Sequence, residues 1–531
     1  MKKSIKIGLL ALLSVATFSC KEGFEEINAA WDKPTEASTP EIFNAVVSSL
    51  PLTAGEQSVM NSWIYPITQQ AVVSTGGAYP YDNARNAVWQ NFYFTLANIR
   101  ILEDRISKEA NPSSYNNVSA MLKTINAYKA FKATNYFGDM PYTEAGYAAL
   151  TEEKGSQVYK AAYDTQPAIY KAILDDLNWA IDNFSTSGSQ FSLGSYETLL
   201  DGNIEHWVRF ANSLRLYIAL TAYDKDQALA TPYITASMSK PFLSGDETVA
   251  IWPAKRTLSL QWREWSFNAN CYLRMGSTIW ENMSSDNAKD GSGIFDPRAK
   301  VFFEPNHAGE WVAYPQNPGS GVSEGGLPYD RARYTDWSKK DGTLYSPFNL
   351  YFVQDMTTIP EPILTVAQVH LLKAEVYNRG IGVSANPTQA KAEYEAGIRA
   401  SVDMWKSVAF NSEVWTVGKP ASATATPAEI SAMLASPKVA YNTGNAADGL
   451  KKIYTQLWID QFRQPFDAWT LKRRTGDATP MSAVNPQIYQ QTFAGFQRFL
   501  YPEDELTYNS ANFMAATGGA NKNDTKLWFA R

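Results

Sequence analysis

The sequence predicts a mainly all-α protein, an irregular scaffold of paired helices that carries one loop-rich insertion. Three observations lead there. Apolar residues recur at steps of three and four over long stretches, as in Val118, Met121, Leu122, Ile125 and Tyr128. Those stretches are bounded by helix punctuation: Gly138 and Pro141 close the run just named, and Asp201-Gly202-Asn203 opens another. Between about 240 and 360 this periodicity weakens, Gly and Pro become frequent, and aromatic residues stand singly or in close pairs. With 531 residues, 45% of them hydrophobic and 13% aromatic, the chain can bury a large core, and general disorder is excluded.

The N-terminus belongs to targeting and not to the fold. Lys2, Lys3 and Lys6 precede an apolar run from Ile7 to Ala16, which is shorter than the roughly 20 residues a bilayer span needs. Ser19-Cys20 then places a small residue before a cysteine, the order of a bacterial lipoprotein cleavage site, so residues 1–20 read as a signal peptide with lipidation at Cys20. Residues 21–40 are acidic and contain Pro, Ser and Thr, as a tether does, and 41–531 form a single helical body with its lobe at about 240–360. Cys271 has no second thiol to pair with if Cys20 is acylated, and reads as a small buried hydrophobe.

Along the body, Thr39-Pro40-Glu41 predicts a helix from about Glu41 to Ser49 with Thr39 as its N-cap. A second run spans Gln57 to Val73, followed by the Gly-, Pro- and Tyr-rich loop that holds Tyr79 and Tyr81. Trp89 to Ile106 is helical. In the central helix, Ala120, Ala127, Ala130 and Ala133 narrow the remaining faces, so neighbours can pack on both sides; Gly138 is expected in the left-handed conformation that ends it. Further helices run from Pro167 to Phe184 and from Ile204 to Tyr223. In the latter, Trp207, Phe210, Leu214 and Ile218 form one stripe, while Asn212 and Arg215 are expected to lock helix to helix through hydrogen bonds. Ile363–Tyr377 and Thr388–Trp405 place small residues at their crossing points, the packing logic of tetratricopeptide repeats, though with unequal loops. Lys452 to Trp469 reads as one long helix, and Arg474, Arg498 and Glu505 as a buried ion network.

Several of these stretches also carry a resemblance. Tyr136-Phe137-Gly138-Asp139-Met140-Pro141-Tyr142-Thr143-Glu144-Ala145 resembles the signature of the SusD/RagB-like nutrient-binding outer-membrane lipoproteins of the Bacteroidetes. Trp207 to Leu216, Asp296-Pro297-Arg298, Leu372 to Glu375, Tyr394 to Ala400, Asp467 to Gly476 and Arg498 to Pro502 are similar to further blocks of that family. Lys21-Glu22 and Glu25-Glu26 resemble the segment that sends such lipoproteins to the cell surface. The resemblance covers essentially the whole mature chain. It implies the SusD-like variant of a tetratricopeptide-like fold, a lipid anchor in the outer membrane, a glycan as ligand, and a SusC-like TonB-dependent transporter as partner.

The chemistry legible in the residues points the same way. A formal charge of −6 argues against nucleic acid, whose phosphates want a basic footprint. Gly321-Val322-Ser323-Glu324-Gly325 matches a nucleophile elbow, but Pro315, Pro318 and Pro328 surround it where a strand and a helix are needed. His206, His307 and His370 lie far apart, and no metal-ligand spacing or phosphate loop is present. Asp286, Asp290 and Asp296 around Gly291 echo a calcium loop, but the pattern breaks at Ala288 and has no closing Glu. No cofactor, metal or catalytic residue is therefore expected. A surface glycosidase stays as the alternative, because spacing cannot select a carboxylate pair among 53 acidic residues. The positive signal is aromatic: Tyr79, Tyr81, Trp262, Trp265, Trp311, Tyr329 and Trp337 fall in non-helical segments, where rings can stack on the C–H face of a sugar. Peptide or another nutrient would use the same shelves and stays open as a ligand.

Overall fold

A computed structural model describes residues 37–73, 80–252, 273–316, 344–354, 358–476 and 495–531, and among these the architecture is mainly helical, with strands only in two-stranded ladders. The central helix, Asn116–Phe137, has no exposed residue. Helix Arg85–Ser107 covers one side of it, and helices Gln166–Asn183 and Ile204–Tyr223 the other. Phe131 meets Tyr170 and Tyr217 edge-on at 5.7 and 5.2 Å, so three helices interlock through one ring. At its end Gly138 has φ +87° and ψ −132°, an extended glycine-only region and not the left-handed helical one expected. The cause is tertiary: Thr134 accepts the Gly138 N–H through its carbonyl and returns its own hydroxyl to the Gly138 carbonyl, turning the chain into strand Met140–Pro141.

Other boundaries also depart from the sequence reading. The first helix is Thr39–Ser48, capped by Ser38 and not Thr39, because Glu41 reaches back to the Ser38 N–H in a capping box. The run expected to be helical from 57 to 73 is Ala54–Val59, a π-turn over Met60–Ile64 and Tyr65–Thr68; it stops at Gln69 (φ +57°). Val72–Val73 leave it to pair with Leu273–Arg274 in an antiparallel ladder. Glu361–Leu364 likewise form a strand against Val249–Ile251, so the next helix is Val366–Arg379, opened by a Thr365–Gln368 capping box. It packs on helix Pro387–Asn411 as the repeat logic predicts: a Cβ at Gly397 would stand 2.7 Å from Leu371. The long helix expected at 452–469 is two, Ala446–Asp460 and Pro465–Thr475, because Pro465 has no N–H to continue the first.

The interior polar groups are arranged by the same packing. Asn212 Nδ2 donates to the carbonyls of Ser237, Lys240 and Pro241, and Arg215 donates to Ser237, Asn178 and Asn212, locking Ile204–Tyr223 to its neighbours as expected. Asp296 and Arg298 form a fully buried pair, from which Arg298 reaches Ser401 and Gln456 and anchors the lobe to the helices. The proposed Arg474–Arg498–Glu505 network does not form. Arg474 pairs instead with Glu375; Arg498 lies over the Tyr501 ring at 4.0 Å, and Glu505 accepts from Tyr163 and Asn509.

Candidate functional site

The short ladders bring separate pieces of chain to one place. Val72 and Val73 pair with Arg274 and Leu273, and Arg274 in turn bridges to Pro347. Met275 N–H donates to Ser346, Tyr314 N–H donates to Met275, and Gln316 N–H donates to the Ser277 hydroxyl. The described chain around Val73, Leu273, Gln316 and Tyr345 is therefore brought together, and the Tyr314 and Tyr345 rings meet at 4.5 Å. Tyr79, Trp262, Trp265, Tyr329 and Trp337 lie outside the described residues, as do Ser323, Cys20 and Cys271.

The two described aromatic candidates have different settings. Tyr81 is in the core: its ring stacks on Phe496 at 4.0 Å and its hydroxyl donates to the Arg498 carbonyl. Burial pushes that hydroxyl well above its ordinary pKa. Trp311 lies nearly parallel to Trp280 at 6.0 Å and is only 9% exposed, so most of its ring already packs against protein. Its remaining surface borders a cavity of about 570 Å³, within the usual range for small-ligand sites.

This cavity is built from three segments. The turn at Asn306 is held by its own side chain, whose Oδ1 accepts the N–H groups of Ala308 and Glu310 while Nδ2 donates to Leu344. That turn presents His307 beside Trp311. Tyr351 comes from the next segment, with its ring stacked on Trp415 at 5.6 Å and its hydroxyl bonded to Thr416. Lys300, Glu304 and Asn349 add charged and amide groups, and Val417, 64% exposed, adds an apolar lip. Aromatic edges together with amide, imidazole and carboxylate groups suit a ligand with an apolar face and many hydroxyls. Glu304 is the one carboxylate among the described residues that line it. Sequence reasoning did not select Asn306, His307 or Tyr351. The Asn-x-x-Gly turn leading into Trp311 was a usable signal for the first two; Tyr351 joins only through the fold.

The remaining candidates scatter. His206 contacts the Glu247 carbonyl and His370 contacts Glu393, far from His307. Asp286 and Asp290 cap the turn N–H groups of Ala288 and Ser292, and Asp296 is committed to Arg298. Among the described residues, no cluster of three His, Cys, Asp or Glu could hold a metal ion, and no helix is long and apolar enough to cross a membrane.

Comparison with known proteins adds the following. A SusD-like family model, described as starch-binding associating with outer membrane, matches residues 32–502. A chitin-binding protein of known structure superimposes with a TM-score of 0.70 at 21% identity, covering 93% of this chain and 99% of its own. A chitin-binding SusD homolog from Flavobacterium johnsoniae gives 0.61 at 19% identity, with 92% and 97% covered. A SusD homolog from Bacteroides fragilis gives 0.66 at 19% identity, with 92% and 99% covered. None of the curated proteins matches the chain. At such identities the structural likenesses establish the fold.

Proposed function

Because the chain belongs to the SusD-like family, we propose that it is a lipid-anchored cell-surface protein that captures an oligo- or polysaccharide and delivers it to a SusC-like TonB-dependent transporter, binding without making or breaking bonds. The observation that carries this reading is the Trp311 cavity: aromatic walls, amide groups and, among the described residues, a single carboxylate, a set suited to holding a sugar and poorly suited to hydrolysing one. The match to a family described as starch-binding, and the likeness to two chitin-binding structures, choose the first glycans to try.

The test is retention and product measured together on starch, chitin and xylan oligosaccharides, with a peptide pool as a further arm. At least one glycan should be retained with its chain length unchanged. Trp311→Ala should weaken that retention severalfold, since a stacked ring contributes on the order of 1 kcal/mol beyond its buried area. Trp311→Ala also removes the partner of Trp280, so it should lower the melting temperature; Trp311→Phe keeps a ring there and should lose less of both. Shortened products would establish the glycosidase alternative, and retention of peptide alone would replace the glycan.

Anchoring is tested separately. The charged, apolar, small-residue and cysteine order of residues 1–20 motivates lipidation at Cys20. The parent protein should extract from native outer membrane in mild detergent together with a large barrel protein, and Cys20→Ala should lose its membrane association and be absent from that complex. Membrane association of Cys20→Ala equal to the parent's would refute the anchor; recovery of the parent alone would count against the transporter.

A further inference from the structure

We infer that the chain holds a second saccharide site, separate from the Trp311 cavity, that takes one neutral or amine-bearing pyranose unit and rejects anionic ones. The argument begins with helix Pro387–Asn411. Most of its length buries one face, through Tyr394, Gly397, Ile398, Val402 and Trp405. Ala400, Asp403, Met404, Ser407 and Asn411 recur at steps of three and four on another face. That face borders a pocket of about 520 Å³, large enough for a small ligand.

The Gly245–Thr248 turn and the half-buried Trp252 line the same pocket. An indole together with the alkyl groups of Ala400, Met404 and Val366 offers the apolar surface on which the C–H face of a pyranose rests. The polar groups are almost all acceptors or hydroxyls. Asp403 spends Oδ1 on the Ala425 N–H, leaving Oδ2 for a ligand, and Asp246 supplies a second carboxylate from the turn. The Asn411 amide donates to the Ser407 oxygen, which leaves the Ser407 hydroxyl hydrogen for the pocket. Among the described residues, no Lys, Arg or His lines the pocket. Two carboxylates without a cation repel uronic or sulfated sugars, accept from hydroxyls, and form stronger, charge-assisted bonds to an ammonium. The two cavities share no lining residue: Val417 and Gly418 belong to the first, Thr424 to the second.

The inference rests on the carbohydrate reading above for its ligand class alone, and the experiment separates the two. Titration calorimetry on the full chain would use a glucosamine tetrasaccharide, its N-acetylated counterpart and a galacturonate trisaccharide. Ala400→Phe fills the pocket and should weaken glucosamine tetrasaccharide binding at least tenfold, while retention of the glycan that depends on Trp311 stays at the parent level. Asp403→Asn keeps the bond to the Ala425 N–H and should narrow the preference for the free amine at least threefold. Melting curves check the fold; should Ala400→Phe fold poorly, Ser407→Leu fills the same space from the adjacent turn. Glucosamine binding untouched by both fillings, or galacturonate bound as tightly, overturns the second site and leaves the first reading standing. Loss of all saccharide binding in the parent protein overturns both.

Discussion

Glu375→Ala is expected to destabilise the protein by about 3–5 kcal/mol, because it strands the buried Arg474, whose one ion-pair partner among the described residues is Glu375. Glu375 is fully buried and accepts from Arg474 at 2.8 and 3.0 Å, from Arg379 at 2.8 Å and from the Tyr454 hydroxyl at 2.8 Å. Arg379 continues to Asp224, and Arg531 joins Asp224 at 2.8 Å. One carboxylate thus ties the helix Val366–Arg379 to Pro465–Thr475, to the end of Ile204–Tyr223 and to the last residue of the chain. Burial by itself would raise the Glu375 pKa, but the Arg474 and Arg379 charges and the Tyr454 hydrogen bond outweigh it and hold the group at about 2. A carboxylate depressed in the folded state contributes stability that is complete above its unfolded pKa of about 4.5 and is lost as the pH falls towards 2. Urea midpoints between pH 7 and pH 2.5 should therefore fall for the parent below about pH 4.5, and this acid limb should shrink in Glu375→Ala. Replacing both partners, Glu375→Leu with Arg474→Met, should recover much of the loss, since an apolar pair of similar volume removes the unpaired charge. An unchanged midpoint in the single variant would show that water reaches the cations.

Trp469→Ala should cost roughly 3–5 kcal/mol, by leaving a cavity under the C-terminal segment. The indole is 1% exposed, and the Arg473 guanidinium lies 3.7 Å from its ring centre. Arg473 is itself buried, donating to the carbonyls of Asn135 and Gln497, and burial lowers its pKa to about 10. Removing the ring therefore takes away both packing and the cation–π support of a buried charge. Trp469→Phe keeps part of each and should lose less. The check is a thermal melt paired with glycan retention: Trp469→Ala should melt early and bind in proportion to the fraction still folded. Retention lost while the melt stays unchanged would instead place Trp469 at the ligand.

The sequence alone determined what depends on neighbours a few residues apart. The helix Asn116–Phe137, its stop at Gly138, the Asn203 cap and the small residues between Val366–Arg379 and Pro387–Asn411 are consequences of periodicity, glycine geometry and local hydrogen bonds. The blocks that resemble the SusD-like family also survive in order along the chain, which is why the family was legible without coordinates. Only tertiary structure decided which distant groups meet. Arg474 finds Glu375 across 99 positions, Val72–Val73 are drawn out of a helical run by Leu273–Arg274, and Gly138 takes an extended conformation through its bonds with Thr134. The same holds for the rings. Tyr81 and Trp311 look alike in sequence, yet one stacks into the core on Phe496 and the other borders a cavity with Tyr351, 40 residues away. A side chain's type sets what it can bind, but whether it faces a ligand or a neighbour depends on which surfaces the folded chain closes against each other.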